Sequence, residues 1–281
     1  MSSGKYSYPN DESYLTSTDF QHHIWSIAQD GELALCPAHK KAKRVLDMGT
    51  GTGIWAINFG RSTNDVQVIG VDLSPIQPGW VPPNCKFEID DLEKDWTWDK
   101  PFDFIYARAL EGCFSDISKM IEKVYKALSP GGWFEVGSLM MPMGCDDGTV
   151  PKDSALARWH DLLTEATAKI GRPYTGIATH TKEMGEAGFV NVKHKDFIWP
   201  LNSWPKDDKL SEIGRWHCVN LDLALEAMSL ALLTRVMDWS KAEVEVFCAN
   251  VRKDVRNKNM HAYWKIRVLY AQKPLESEIS E

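Results

Sequence analysis

The chain's 281 residues are 43% hydrophobic, enough to bury one large α/β core, and no apolar run approaches the roughly 18 residues of a membrane span. A formal net charge of −7 argues against a nucleic-acid partner, which would call for a basic surface. Six scattered cysteines with no Cys-x-x-Cys pair, and no charged-then-apolar leader, predict free thiols in a cytoplasmic protein with no membrane partner.

Residues 1–18 read as a flexible segment. Residues 19–35 carry Asp19 near their start and Phe20, Ile24, Ile27 and Ala28 at helical spacing, which predicts an N-terminal lid helix. The basic run Lys40-Lys41-Ala42-Lys43-Arg44 reads as a solvated loop, with a nuclear-import signal as the alternative. Next comes Val45-Leu46-Asp47-Met48-Gly49-Thr50-Gly51-Thr52-Gly53-Ile54: an apolar strand, a tight turn and a helix start. That order makes a nucleotide-sized ligand site, because glycine lets the backbone turn sharply and come close to a ligand. Asp47 can offer its carboxylate to a ligand's cation or hydroxyl. The glycine frame alone does not name the ligand. Read from Gly49, a dinucleotide pattern fails at Ile54; read from Gly51, it passes through Gly53 and Ala56.

Val68 to Ser74 reads as a second strand ending in Asp72, placed to accept hydrogen bonds from the ribose of either a nicotinamide cofactor or S-adenosylmethionine. Cys85–Ile89 reads as a third strand, followed by Asp90-Asp91-Leu92. Phe102 to Arg108 makes a fourth, with Tyr106 and Arg108 bordering the ligand; the alternative for Arg108 is a pair with a lid carboxylate. Leu128 to Val136 reads as helix end, Pro-Gly-Gly turn and fifth strand. A sixth strand follows Gly188, and His261 to Ala271 makes a seventh. Residues 153–171 and 208–257 read as helical insertions capping the carboxyl end of the sheet, and 275–281 as a disordered tail. Leu221, Leu225, Met228 and Leu232 recur at helical spacing, the mark of ordinary core.

Asp-x-Gly-x-Gly-x-Gly after an apolar strand resembles motif I of the class I S-adenosylmethionine-dependent methyltransferases. Asp72, Asp91-Leu92 and Pro130-Gly131-Gly132 follow in that family's order. Pro9-Asn10-Asp11-Glu12, Gln21-His22-His23, the proline-rich Ser74–Asn84 and Tyr270-Ala271-Gln272-Lys273-Pro274 resemble the LaeA-like (UMTA-type) methyltransferases of filamentous fungi, a likeness running from about residue 6 to 274. The resemblance implies a doubly wound seven-stranded α/β sheet, its last strand antiparallel beside the sixth, in one methyltransferase domain over 19–274 with a cofactor core at 42–138. It implies S-adenosylmethionine held by Asp47, Gly49, Thr50, Gly51, Gly53, Asp72, Leu73, Asp91 and Leu92, with Tyr106 and Arg108 alongside.

The same likeness leaves two roles open: an enzyme methylating an oxygen or nitrogen of a small secondary metabolite, and a regulator acting through protein partners. A nicotinamide-dependent oxidoreductase is the third reading. Histidine is the side chain suited to act as a base near neutral pH, and the candidates are His22, His23, His160 and His217, with His23 and His217 preferred. Trp159, Trp199, Trp204, Trp216 and Trp239 in the cap half suit a flat, largely apolar acceptor. No His, Cys and carboxylate cluster has metal-ligand spacing.

Overall fold

The computed structural model describes residues 12–37, 39–62, 65–174 and 177–279. Seven strands, β1 (Arg44–Met48), β2 (Gln67–Asp72), β3 (Cys85–Ile89), β4 (Phe102–Arg108), β5 (Leu128–Gly144), β6 (Val190–Pro200) and β7 (Tyr263–Gln272), form one sheet in the order β3-β2-β1-β4-β5-β7-β6. β1 to β5 run parallel, and β7 enters antiparallel between β5 and β6.

The central strands are apolar on both sides because helices cover both faces. Val45 and Phe104 pack with Trp55 and Phe59 of α2 (Ile54–Ser62). Their neighbours Leu46, Ile105 and Phe134 pack the other way, against Ile121 and Val124 of α3 (Ile117–Ala127) and Met184 of α5 (His180–Glu186).

A third core lies beyond the carboxyl end of the sheet, where α1 (Glu12–Ala28), α4 (Ala155–Lys169), α6 (Asp208–Val236) and α7 (Lys241–Arg256) gather over β6 and β7. The helices begin where side chains satisfy free amide groups: Ser154 accepts from Ala157 N, Asp207 from Leu210 N, and Ser240 forms a reciprocal capping box with Glu243.

The N-terminal helix differs from the expected 19–35. It starts at Glu12 and ends at Ala28, where Asp30 and Gly31 take left-handed φ of 57° and 85° and turn the chain toward β1. Residues 1–11 of the expected flexible segment lie outside the described residues. In the expected tail, Glu276–Ile279 form a short helix, α8. Among the described residues no helix is long and apolar enough to cross a membrane. All six cysteines are free.

Candidate active site

The glycine loop after β1 is built from positive φ angles: 63° at Gly49, 57° at Gly51 and 79° at Gly53. A Cβ on Gly49 would lie 2.3 Å from Leu110, and one on Gly53 would meet the Phe87 ring at 2.3 Å, so both positions require glycine for close approach as well as for φ. Thr50 donates its hydroxyl to Asp47 Oδ2 at 2.5 Å, and Gly51 N–H donates to Asp72 Oδ2 at 2.8 Å. Asp72 thereby joins the end of β2 to the loop, and it also accepts from Ser74 N. Burial raises the pKa of both acids, that of Asp47 to about 7.

A cavity of about 240 Å³ opens over this loop. One end is lined by Asp47, Gly49, Thr50, Gly51, Asp72, Leu73, Asp91, Leu92, Tyr106 and Arg108. The chain thus brings together the expected cofactor residues, save Gly53, which is buried beneath the loop at the start of α2. Tyr106 stacks on Trp55 with ring centroids 3.8 Å apart.

Helix α1 roofs this end. Ser17, Thr18, Gln21 and Trp25 share the face that lines the cavity, and Asp19 accepts from Thr52 at 2.7 Å. Arg108 lies 5.6 Å from the Trp25 ring and donates from both terminal nitrogens to His22 Nδ1 at 3.2 Å. Among the described residues no carboxylate pairs with Arg108, so the alternative partner on the lid is not there.

The far end belongs to the cap. Leu139, Thr167, Tyr174, Trp199, His217, Asn220, Leu221, Met228, Leu232, Trp264 and Ile266 line it. Leu221, Leu225 and Leu232 belong to the buried cap core, as expected, with Met228 packed against it; Leu221, Met228 and Leu232 also face the cavity. Of the five cap tryptophans only Trp199 does so, joined by Trp264 and Trp25.

His217 is buried and its Nδ1 donates to the Pro200 carbonyl at 2.9 Å, which leaves Nε2 as the ring's acceptor; burial lowers its pKa to about 4. The structure does not bring His23 to the cavity. It is exposed, edge-on to Trp216 at 4.8 Å, because the α1 face set by Gln21 and Trp25 turns residue 23 away. His22 is buried behind Arg108, and His160 accepts from Met143 N beyond the cavity wall.

Glu111 and Asn220 were not singled out by the sequence reading. Ala109, at φ 52°, turns the chain after β4 so that Glu111 lines the cavity. One Glu111 oxygen accepts from Leu139 N and the Ser138 hydroxyl. Its position three residues past a strand end was the available signal. Asn220 had none beyond adjacency to Leu221. Among the described residues no group of three or more His, Cys, Asp and Glu could hold a metal.

The profile of the family described as "Methyltransferase domain" matches residues 20–194. Methyltransferase pytC of Aspergillus terreus is 39% identical over 272 residues, 96% of this chain and 84% of its own. The secondary metabolism regulator LAE1 of Cochliobolus heterostrophus is 35% identical over 278 residues, 96% of this chain and 91% of its own. A solved phosphoethanolamine N-methyltransferase 2 of Haemonchus contortus, in complex with S-adenosyl-L-methionine, aligns with a TM-score of 0.51 at 15% identity, over 90% of this chain and 52% of that one. The doubly wound seven-stranded fold that the sequence led us to expect is the fold found.

Proposed function

Because the chain belongs to the methyltransferase domain family, in its LaeA-like branch, we propose that it methylates an oxygen or nitrogen of a small, largely apolar secondary metabolite. It is an S-adenosylmethionine-dependent methyltransferase, and the nicotinamide reading falls with the family assignment. The bound cofactor supplies a sulfonium methyl group for in-line transfer.

The donor set fits that cofactor. Asp72 is suited to the ribose hydroxyls, Asp91 and Leu92 to the adenine edge, and Asp47 to the ammonium of the amino-acid end, with Gly49, Thr50, Gly51 and Leu73 closing around them. Gly53 shapes the loop without touching the ligand.

The observation that carries the reading is a single cavity running from the glycine loop to an aromatic, aliphatic cap. Methyl transfer depends on alignment and exclusion of water, which such a cavity provides. Nε2 of His217 is suited to accept a hydrogen bond from the acceptor's hydroxyl or neutral amine and to turn its lone pair toward the methyl group. The second Glu111 oxygen is suited to the same task. Among the described residues, the indole nitrogens of Trp25, Trp199 and Trp264 and Oδ1 of Asn220 have no hydrogen-bond partner. Buried polar atoms of this kind favour an acceptor that carries polar atoms within a flat apolar frame.

A second reading, a regulator acting through protein partners, draws on the likeness to LAE1. Incubation of the pure protein with methyl-labelled S-adenosylmethionine and a boiled extract of the host separates the two. Label in an organic-soluble small molecule supports the metabolite enzyme. Label confined to protein supports the regulator and overturns the first reading.

A further inference from the structure

Two cations line the cavity, and they are treated differently. Arg172 is paired with Glu93 at 2.6 Å and also donates to the Cys113 carbonyl. Arg108 has no carboxylate within 4 Å among the described residues; its guanidinium meets the neutral partners His22, Trp25 and Tyr106. A guanidinium partly withdrawn from water, with Asp47 near enough to act on it but no carboxylate in contact, keeps donors free for an anion. It stands at the carboxyl end of β4, next to the glycine loop of β1, where the parallel strands leave a crevice for ligand.

His22 is what holds it there. A guanidinium only donates, so Nδ1 must be the bare acceptor of the ring and Nε2 carries the proton; the Asn58 amide 3.0 Å from Nε2 then has to present its oxygen, not its Nδ2, to accept from it. Burial, then the charges of Arg108 and His23, lower the His22 pKa to about 3, so the ring stays a neutral acceptor. Two hydrogen bonds from one guanidinium to one nitrogen fix its plane. The remaining N–H groups are left for a ligand.

We propose that Arg108 receives the α-carboxylate of the cofactor's amino-acid end and that His22 is the positioning residue that aims it, an inference resting on the cofactor assignment above. The ligand chemistry is an amino-acid carboxylate. A carboxylate on the methyl acceptor is the other source, and the experiment separates the two.

The test is calorimetric binding of S-adenosylhomocysteine and of S-adenosyl-3-thiopropylamine, the same molecule without its carboxylate. The wild type is expected to bind the first tighter by about tenfold or more, the scale of a charge-assisted pair. Arg108→Met is expected to bring the ratio near one by weakening only S-adenosylhomocysteine. His22→Phe is expected to lower the ratio part of the way, and His22→Gln, whose side-chain oxygen can accept from the guanidinium, to restore some of it.

Equal affinities in the wild type would overturn the assignment whatever the variants do, and would leave the acceptor's carboxylate as the occupant. A His22→Phe protein that weakens both ligands alike, keeping the ratio, would reduce His22 to a packing role. If neither ligand binds the wild type, the cofactor reading itself fails.

Discussion

At the scale of single residues, two acids at strand ends and one buried ring line the cavity in which we place the chemistry. Asp72 holds the glycine loop through Gly51 N–H as well as lining the cavity. Asp72→Ala is therefore expected to abolish measurable S-adenosylmethionine binding while the circular dichroism spectrum stays that of the folded protein; unchanged affinity would sink the role of Asp72. Because burial holds His217 neutral down to about pH 4, its acceptor nitrogen is available throughout the working range. The pH profile of kcat should then owe no limb to His217: His217→Leu should lower kcat by about tenfold or more and leave the shape of the profile unchanged. Asp47 and Asp72 were legible because each ends an apolar run, a purely local signal, whereas Asp91, behind Asp90 and the alternating Cys85–Ile89, was singled out only by the resemblance to methyltransferases. The Arg108–His22 contact was not, because 86 residues separate the partners and only the docking of α1 joins them. His23 was preferred over its neighbour for the same reason. Two adjacent histidines on a helix differ by one step of rotation, and tertiary contact decides which one is buried.

Among whole elements, the strands and the cap helices were readable, with α4, α6 and α7 inside the expected 153–171 and 208–257, and the ends of α1 were not. Short apolar runs bounded by turn residues mark the buried parallel strands β1, β2 and β4, whereas β3 alternates apolar and charged residues and β6 is largely polar and exposed. Helix ends depend on capping and on what packs alongside, so α1 lies seven residues earlier than its periodicity suggests. The cap's long helix, α6, owes its position to one glycine. A Cβ at Gly214 would sit 2.0 Å from the Asn202 carbonyl oxygen, so the backbone after β6 lies directly against the helix. Gly214→Ala must push α6 outward and is expected to cost about 1–3 kcal/mol, read as a lowered melting temperature. As α6 carries His217, Asn220 and Leu221 into the cavity wall, turnover should fall further than stability alone explains.

For the molecule as a whole, buried ionisable groups make stability depend on pH in opposing directions. Glu135, fully buried in β5, accepts from Leu35 N and Cys36 N with one oxygen, and burial lifts its pKa from 4.5 to about 8. The folded protein keeps a proton there that the unfolded chain has released, so this contribution is full below about pH 4.5 and is lost as pH climbs to 8. Asp47 acts in the same sense up to about 7. His22, His180 and His217, lowered from 6.5 to about 3, 4 and 4, act in the opposite sense, and their contribution is lost as pH falls below 6.5. The highest melting temperature is accordingly expected at about pH 6 to 7. Glu135→Gln, which mimics the protonated acid, should gain on the wild type by up to roughly 1.4 kcal/mol per pH unit between 5 and 8. Parallel melting curves across that range would show the acid to be ionised in the folded state. Apart from α1 and Glu111, the two ends of the cavity are drawn from separate stretches of chain, residues 47–114 at the glycine loop and 139–266 at the cap. A lineage can thus diversify the second stretch by point mutation or recombination while the first is left alone, and new acceptor preferences can arise without the protein passing through a form that has lost its methyl donor.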